Sequence, residues 1–408
     1  MDNIFNRIRE EVLLRIDTTR DVGEEEISEL CDRVFSELKD ISISASKKTE
    51  YRKLLLNDIK KLDVIQELMD DDEITEIMVN GWDSIFYEKK GFVRRWEKHF
   101  ENEKRLKDIV QRIAGASNKI VNEAIPISDT RLKDGSRVNI VMNPIAINGP
   151  IITIRKFYDI PLSIDRLIEI NSITREASEF LKALVISGYN IFISGGTGSG
   201  KTTFLNALSN YIPEHERVIT IEDSAELKLM SVDNLVRLEA RKANVEGKNE
   251  ITIRDLIKSA LRMRPDRIVV GEVRGAEAID MLSAMNTGHD GSLSTGHGNG
   301  PVDMLLRLET MVLMGMDMPV SAIRRQIASA IDIVVHLGRL RDRSRRVLSI
   351  SEIDGIKDEE IHLNTLYEFV EEGLDDNNGI KGALKPCKTT LKNTKKLKAA
   401  GYEDSIFC

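Results

Sequence analysis

Apolar residues recur at helical spacing through the first part of the chain. This pattern predicts two amphipathic helices within residues 3–38 and a third helix over about 49–69. From Ile74 the pattern changes to short apolar stretches separated by turn residues, which predicts short strands around one helix. We therefore expect a helical extension over residues 1–48, followed by a small α+β domain over residues 49–157.

Beyond a predicted linker at residues 158–163, strand and helix patterns alternate. The strand candidates are 190–194, 217–222, 267–271, 292–295 and 331–336. The helix candidates are 176–186, 201–210, 253–263, 276–286 and 301–313. Such alternation is typical of a mostly parallel sheet, which binds ligands at the carboxyl ends of its strands. The predicted fold class is α/β over residues 164–408, with a small β appendage over about 338–408.

Composition and charge narrow the class of protein. The 408 residues are 41% hydrophobic and 31% charged, which is typical of a globular chain with a sizeable core. The net charge of −8 argues mildly against a dedicated nucleic-acid binder. Cys31, Cys387 and Cys408 are odd in number and far apart, so we expect free thiols in a reducing compartment. No signal-peptide core and no apolar run near the ~18 residues of a membrane span occur, so membrane association would be peripheral.

A glycine-rich loop between an apolar strand and an amphipathic helix is the strongest candidate for chemistry. Its pattern, Gly195-x4-Gly200-Lys201-Thr202, is that of a P-loop; an accidental glycine turn is the alternative. Glycines let successive backbone N–H groups surround a phosphate chain, and Lys201 would reach the β- and γ-phosphates. The Thr202 hydroxyl would hold Mg²⁺. The predicted nucleotide-binding residues are Gly195, Gly196, Thr197, Gly198, Ser199, Gly200, Lys201, Thr202 and Thr203.

Carboxylates follow two of the predicted strands. Glu222 and Asp223 end one strand, where they would hold Mg²⁺ and orient water; a solvated acidic turn is the alternative. Glu272 ends another strand at the Walker-B place, although Gly271-Glu272 replaces the usual apolar run and aspartate. Glu272 would act as general base or coordinate Mg²⁺ through water. Arg274 would contact phosphate or pair with a neighbouring acid.

Two histidines, His289 and His297, lie in a glycine-rich stretch that allows three interpretations. A zinc site lacks a third ligand nearby, and both residues could have structural roles. In the third interpretation the imidazoles sense the γ-phosphate and relay the nucleotide state. The stretch by itself does not decide among them.

Three arginines precede the linker: Arg131, Arg137 and Arg155. Most surface arginines only form salt bridges. In an enzyme that hydrolyses a nucleoside triphosphate, however, an arginine from another domain or subunit can stabilise the charge of the transition state. Both roles remain open from the residues alone.

The chain resembles the hexameric traffic ATPases of type II and type IV secretion through four segments that follow one another in the sequence. Within that family, the chain looks most like the CpaF-type branch of tight-adherence (Flp/Tad) pili. The segments are the P-loop, the Asp box Ile219–Glu226, the Walker B stretch Val270–Gly275 and the His box Thr287–His297. Outside the motor, residues 73–81 and 129–139 look like the N-terminal domain of that branch. The resemblance covers about residues 55–405.

The resemblance implies a homohexameric ring of RecA-like P-loop NTPase domains, each linked to a PAS-like N-terminal domain. ATP would bind between the two domains of one subunit, and arginines of the N-terminal domain, here Arg131, Arg137 and Arg155, would close over the γ-phosphate. Glu272 would be the catalytic acid residue, with Lys201 and Glu222 also in catalysis. Glu222 and Asp223 would assist Mg²⁺ and water. Ser224 and Gly298 depart from the family pattern away from the chemistry.

We therefore expect an Mg²⁺-dependent ATPase that powers pilus assembly or protein secretion at the inner face of the cytoplasmic membrane. Its partners would be inner-membrane platform proteins, with no direct nucleic-acid contact. A RecA-like motor that translocates nucleic acid is the alternative, which overall acidity and the His box disfavour. A nucleotide sensor without hydrolysis is a third hypothesis, against which Lys201, Thr202 and Glu272 argue.

Overall fold

The computed structural model divides into two compact units, residues 1–158 and residues 159–408. The structure describes residues 3–17, 20, 22–38, 43–157, 162–243, 248–374 and 379–402. The division falls within the stretch predicted as a linker, of which residues 158–161 lie outside the described ranges.

Helices open the first unit and one more helix packs on its sheet. They are α1 (Asn3–Arg15), α2 (Glu24–Glu37), α3 (Ala45–Lys60), α4 (Gln66–Met69) and α5 (Glu103–Ala116). The expected helix over 49–69 was wrong in its bounds, because α3 begins earlier, ends at Lys60 and is followed by a 3-10 turn. The Ser44 side chain sets this start by accepting a hydrogen bond from the Lys47 N–H at 3.3 Å. The boundary expected between residues 48 and 49 therefore cuts a continuous helix.

An antiparallel sheet forms the rest of the first unit. Its strands are β1 (Ile74–Asn80), β2 (Ile85–Lys89), β3 (Phe92–Arg95), β4 (Ile127–Arg131), β5 (Arg137–Val141) and β6 (Ile151–Arg155). They lie in the order β3-β2-β1-β6-β5-β4. The apolar face of α5, with Leu106, Ile109 and Ile113, is buried with this sheet in one core. Strand β4 was missing from the expected pattern.

A largely buried ion cluster joins the first helices to α5. The Arg9 Nε donates to Asp58 Oδ2 at 2.7 Å, and Arg105 pairs with the same carboxylate. Arg105 Nε also donates to Asp63 at 2.5 Å. Because the Asp58 side chain is only 9% exposed, its charge needs both guanidinium partners. The cluster therefore fixes α1 and α3 to the α+β part of the unit.

The second unit contains helices on both faces of one large sheet. Its helices are α6 (Ile164–Glu169), α7 (Arg175–Ile186), α8 (Lys201–Ser209), α9 (Ile253–Ala260), α10 (Ala278–Met285), α11 (Pro301–Gly315), α12 (Val320–Ala330) and α13 (Lys395–Ala399). Its strands are β7 (Ile191–Gly195), β8 (Arg217–Glu222), β9 (Asn234–Glu239), β10 (Arg267–Val270), β11 (Leu293–His297), β12 (Ile333–Arg339), β13 (Arg345–Lys357), β14 (Glu360–Leu374) and β15 (Ile380–Pro386).

The nine strands lie in the order β15-β14-β13-β12-β7-β11-β10-β8-β9. Strands β12 to β9 in this order are parallel, and β12 to β15 are antiparallel. The tail over 338–408 was expected to be a small appendage; that expectation was wrong for its strands, because β13, β14 and β15 continue the central sheet. Strand β9 and helices α6 and α12 were also missing from the expected pattern.

Strand β7 lies inside this sheet and is buried along its whole length. Ile191 and Ile193 pack on the face that carries α7 and α8, and Phe192 packs on the face that carries α10, α11 and α12. Since side chains alternate across a strand, burial on both faces requires the continuous apolar run that predicted this strand. The carboxyl ends of β7, β8, β10 and β11 meet at one edge, where the candidate site lies.

Two expectations from composition concern the thiols and the membrane. Cys31 and Cys387 are free, and burial raises the pKa of the Cys31 thiol to about 11. Cys408 lies outside the described ranges. None of the helices that the structure describes is both long and apolar enough to cross a bilayer.

Candidate nucleotide site

The glycine loop runs from the end of β7 to the start of α8. Gly198 and Gly200 have φ angles of +69° and +93°, which side chains with a Cβ rarely adopt. A Cβ at Gly195 would lie 2.5 Å from the Leu337 carbonyl oxygen, so this glycine is needed for the close approach of β12. Around Gly196 and Gly198 no atom of the described residues lies within 4 Å of a Cβ position. The loop is therefore an open backbone cradle at a helix N-terminus, which suits a phosphate chain.

Lys201 places its ammonium inside this loop. Its Nζ donates to the Gly195 carbonyl at 3.1 Å and to the Gly196 carbonyl at 3.0 Å, and the residue is 6% exposed. A buried cation beside carbonyl dipoles favours the arrival of an anion. The position of Lys201 therefore fits the phosphate-contacting role predicted for it.

A chain of polar contacts runs from Lys201 to the acid at the end of β10. Lys201 Nζ lies 3.1 Å from His297 Nδ1, and His297 Nε2 lies 2.8 Å from Glu272 Oε1. Arg274 donates to Glu272 Oε2 from Nε at 3.0 Å and from Nη2 at 2.7 Å. The structure thus brings together Lys201, His297, Glu272 and Arg274. Of the two roles considered for Arg274, it shows the pairing with a neighbouring acid.

The chain assigns a protonation state to His297. Lysine only donates, so Nδ1 must accept, and the ring proton lies on Nε2 toward Glu272. Burial lowers the pKa of His297, while Glu272 opposes this shift and Lys201, Arg274 and Arg307 add to it. The Glu272 contact raises the pKa of Arg274. His297 is therefore neutral at pH 7 and bridges a cation and an anion.

We expect acid to weaken nucleotide binding through His297. Protonation would place a second N–H against the Lys201 ammonium, so the affinity for ADP should fall as the pH drops below the ordinary histidine pKa of 6.5 and through the lowered pKa of His297. The measurement is the dissociation constant of ADP against pH in the wild type and in His297→Gln, which has no proton to gain. Titration of the nucleotide phosphate affects both proteins equally. Equal pH slopes in the two proteins would contradict the assignment.

Glu222 lies at the end of β8 with its carboxylate turned inward. Oε2 accepts hydrogen bonds from the backbone N–H groups of Glu226 at 2.8 Å and Leu227 at 3.0 Å. Oε1 is buried and has no hydrogen-bond partner among the described residues. Burial raises the pKa of Glu222. A Cβ at Gly271 would lie 2.9 Å from the Glu222 Cγ, which explains why glycine precedes Glu272 where an apolar residue is usual.

The residues at this edge fit a magnesium ion bound with a nucleotide. The open cradle accommodates phosphate, and the partnerless Oε1 of Glu222 leaves one carboxylate oxygen for water or metal. Thr202 is the second residue of α8, and Asp223 is exposed directly after β8. In the part of the chain that is described, no cluster of three or more His, Cys, Asp or Glu side chains is placed to hold a metal by itself.

His289 lies away from this edge, so the structure does not bring the two histidines together. His289 precedes β11, where its Nδ1 lies 3.2 Å from the Ala284 carbonyl, and His297 is the last residue of β11. A five-residue strand rises about 13 Å from end to end, which separates the two rings. The strand therefore separates the two candidate sensors, and the same geometry excludes a zinc site shared by them. A sensor role for His289 stays a prediction.

The three arginines of the first unit lie side by side. Arg131 is opposite Arg137 in the β4–β5 ladder, and Arg137 is opposite Arg155 in the β5–β6 ladder. Residues directly opposite each other on neighbouring strands share a face of the sheet. The structure thus places the three predicted arginines in one row across three strands, which we call the arginine row.

A buried pair beside the loop was missed from the sequence. His336 of β12 and Ser194 of β7 are opposite each other, and the Nδ1 of His336 lies 2.8 Å from the Ser194 Oγ. Burial lowers the pKa of His336. The available signal was one polar residue inside each of two apolar strands, since a buried polar group needs a partner.

The fold and the site together define a P-loop ATPase with a RecA-like sheet. Residues 58–388 match the family described as "Type II/IV secretion system protein". Because this match spans most of the chain, the protein belongs to that family. The resemblance stated from the four ordered motifs is thereby confirmed at the family level.

Relatives in sequence agree with this family, and solved structures share the fold. A putative conjugal transfer protein of Mycobacterium tuberculosis is 34% identical over 306 residues, which are 73% of this chain and 86% of that protein. A type IV secretion system protein PtlH homolog of Bordetella bronchiseptica is 32% identical over 318 residues, 70% of this chain and 91% of that protein.

The Yersinia pseudotuberculosis ATPase DotB gives a TM-score of 0.54 at 19% identity, covering 73% of this chain and 79% of that chain. The pilus retraction motor PilT gives 0.51 at 18% identity, covering 75% and 82%. At such identities the structural likeness concerns the fold alone.

Proposed function

We propose that the protein hydrolyses ATP with Mg²⁺ to power pilus assembly or protein secretion at the inner face of the cytoplasmic membrane. The observation that carries the proposal is the contact chain from Lys201 through His297 to Glu272, because it joins the phosphate-binding loop to a carboxylate. Phosphoryl transfer needs both a cationic cradle for the phosphates and a group that orients the attacking water. The two groups follow β7 and β10, which are separated in the sheet by β11, the strand that ends at His297.

In the proposed mechanism, the loop N–H groups and Lys201 hold the β- and γ-phosphates. Glu272 orients water and accepts its proton, while Arg274 and His297 fix the two carboxylate oxygens. Mg²⁺ would neutralise charge on the β- and γ-phosphates. Thr202 would hold it, and Glu222 and Asp223 would assist. His297, in contact with both Lys201 and Glu272, would relay the state of the γ-phosphate.

The arginine row is proposed to stabilise charge on the γ-phosphate during transfer. Replacing Arg131, Arg137 and Arg155 one at a time by alanine should lower kcat by at least ~100-fold in one or more variants. The reason is that an arginine finger raises kcat by roughly 10³- to 10⁵-fold. The affinity for ADP, which lacks the γ-phosphate, should change little. Steady-state phosphate release and ADP binding measure the two effects.

Arg94→Ala is the matched control, since Arg94 is an exposed arginine on β3 of the same sheet. Wild-type kcat in all three single variants would remove the arginine row from the mechanism.

The wider assembly follows from the family. We propose a homohexamer whose N-terminal unit is PAS-like, acting on inner-membrane platform proteins as a peripheral ATPase of the CpaF type in a Tad/Flp pilus. The relatives are named for type IV secretion and conjugal transfer, which supports a secretion machine as the setting. Sedimentation of the purified chain with and without ATP would test the hexamer.

Deletion of the gene tests the cellular role. Loss of surface pili or of secreted proteins, restored by the wild-type gene and not by Lys201→Ala, is the expected result. Unchanged pili and secretion would contradict it.

The names that refer to conjugal transfer favour one further assay, the stimulation of hydrolysis by DNA or RNA. Strong stimulation would favour a motor that translocates nucleic acid.

A further inference from the structure

The hairpin between β12 and β13 places an arginine against the phosphate-binding loop. Arg345 Nε donates a hydrogen bond to the Gly198 carbonyl at 2.8 Å. The Cδ of the same side chain lies 3.6 Å from the position that a Cβ on Gly200 would take. Arg345 thus contacts the loop at Gly198 and lies beside Gly200, the two loop glycines that have positive φ angles. None of the roles assigned above uses this arginine, which lies 147 positions from Gly198 in the sequence.

The backbone that carries Arg345 is held on both sides. The Ser172 hydroxyl donates to the Arg345 carbonyl at 2.8 Å, and the Val347 N–H donates to the Ser172 carbonyl at 2.8 Å. The next residue, Arg346, is buried and donates to the Asn171 carbonyl at 2.8 Å. These contacts fix the start of β13 independently of the loop. The guanidinium therefore approaches the loop from a rigid support, as a preorganised positioning group requires.

The turn of the hairpin is fixed as well. The Asp342 carboxylate accepts hydrogen bonds from the Ser344 N–H at 2.9 Å, the Ser344 hydroxyl at 2.7 Å and the Ile380 N–H at 2.6 Å. Burial acts to raise the pKa of Asp342, but these hydrogen bonds together outweigh it and lower the pKa, so the turn keeps its charged cap at neutral pH. Neighbouring Arg341 has a different role, because it pairs with Glu371 at 2.7 Å on the surface.

We propose that Arg345 is a positioning residue of the phosphate-binding loop. The contact holds the Gly198 peptide with its carbonyl turned toward the hairpin, and the glycine in its left-handed conformation. The preformed loop then presents its N–H groups to the nucleotide without reordering, and the fixed positive charge near the site favours polyphosphate. This inference rests on the proposed nucleotide site and assigns to the C-terminal strands a part in building it.

The position of the contact predicts which kinetic quantity changes. Gly198 belongs to the cradle that holds the phosphates, whereas Glu272 and His297 contact each other rather than Arg345. Loss of Arg345 should therefore weaken binding of ATP and ADP by the same factor and leave kcat at saturating ATP within about twofold. A factor of roughly ten is expected for the loss of one hydrogen bond from a charged donor at an exposed position.

The experiment compares Arg345→Ala with Arg341→Ala in the full chain. Displacement of a fluorescent ADP analogue gives the dissociation constants of ADP and of ATP, and phosphate release gives kcat and KM. Arg341→Ala, which removes an exposed arginine from the same hairpin, should match the wild type. Arg345→Lys keeps a cationic donor of similar reach and should recover most of the affinity. The melting temperature of the nucleotide-free variants should stay within about 2 °C of the wild type, because one exposed contact contributes little to folding.

Wild-type dissociation constants in Arg345→Ala would overturn the inference, and so would a lower kcat at unchanged affinity. A lower melting temperature in both Arg345 variants without rescue by lysine would show a purely structural role and would also overturn it. Failure of the proposed function is distinguishable, since the wild type would then bind neither nucleotide.

Discussion

Replacing Lys201 by alanine is expected to lower ATP hydrolysis by ~1,000-fold or more and to weaken nucleotide binding strongly. Lys201 is 6% exposed and its ammonium donates to the Gly195 and Gly196 carbonyls, so it is already placed for a phosphate. Cationic groups that are preorganised in a site shielded from water contribute several kcal/mol to binding and to the transition state. Phosphate release under saturating ATP and equilibrium binding of ADP measure the two effects.

The fold should survive the Lys201 substitution, because alanine favours the first turn of α8 and removes a buried charge. Circular dichroism and the melting temperature check this point. Lys258→Ala removes an exposed lysine from α9 and serves as the matched control with wild-type activity. An unchanged rate of ATP hydrolysis in Lys201→Ala would contradict the proposed mechanism.

Replacing Glu272 by glutamine is expected to lower kcat by ~100-fold or more while ATP binding persists. The amide has the shape of the carboxylate, but it cannot take a proton from water. Arg274 would lose its anionic partner, and its pKa would return toward the ordinary value. Single-turnover hydrolysis and ATP affinity separate the chemical step from binding.

Glu277→Gln is the control for Glu272→Gln. Glu277 is a nearby acid whose Oε1 accepts the Arg274 N–H at 2.6 Å and the Gly275 N–H at 3.0 Å, and an amide oxygen can do the same. Its kcat should stay close to the wild type. If Glu272→Gln instead loses ATP binding, Glu272 serves the metal or the structure rather than the attacking water.

The loop and its strand were predictable because their signal is local. Gly195 to Thr202 lie within one strand, turn and helix, and each residue type is needed for the backbone it occupies. The acids Glu222 and Glu272 were predicted for a related reason, since Glu222 ends the buried strand β8 and Glu272 lies two positions after the buried strand β10. Their meeting at one edge follows from the parallel sheet.

Contacts between distant segments could not be predicted in the same way. Whether β11 pairs with β7 depends on the whole sheet, and this pairing is what places His297 beside Gly195 and leaves His289 at the far end. A strand between the two histidines was predicted over 292–295, but its extension to His297 was not, because the stretch also contains glycines typical of a loop. Arg345 was one of several arginines in a charged run, and only the fold shows which of them contacts the phosphate-binding loop.

The bounds of the first unit show a further limit of the sequence pattern. Apolar spacing continued past Lys60 and predicted one long helix, while the chain turns at residues 61–65. The turn is stabilised by Arg112, which donates to the Asp58 carbonyl at 3.1 Å and also contacts the Lys61 carbonyl. That partner lies on α5, more than fifty positions away. Strand β4 was missed because its run of alternating apolar and polar residues is short and mostly polar.

The ladder that joins β7, β11, β10 and β8 has a mechanical consequence. The loop, His297, Glu272 and Glu222 each lie at or directly after the end of one of these four adjacent strands. Their spacing cannot change by much without breaking the hydrogen bonds of the ladder, each of which contributes about 1 kcal/mol. This part of the molecule therefore acts as a fixed frame. If hydrolysis produces movement, the displacement must arise in segments that can rotate or slide against the frame. Those segments would then transmit the force to a partner.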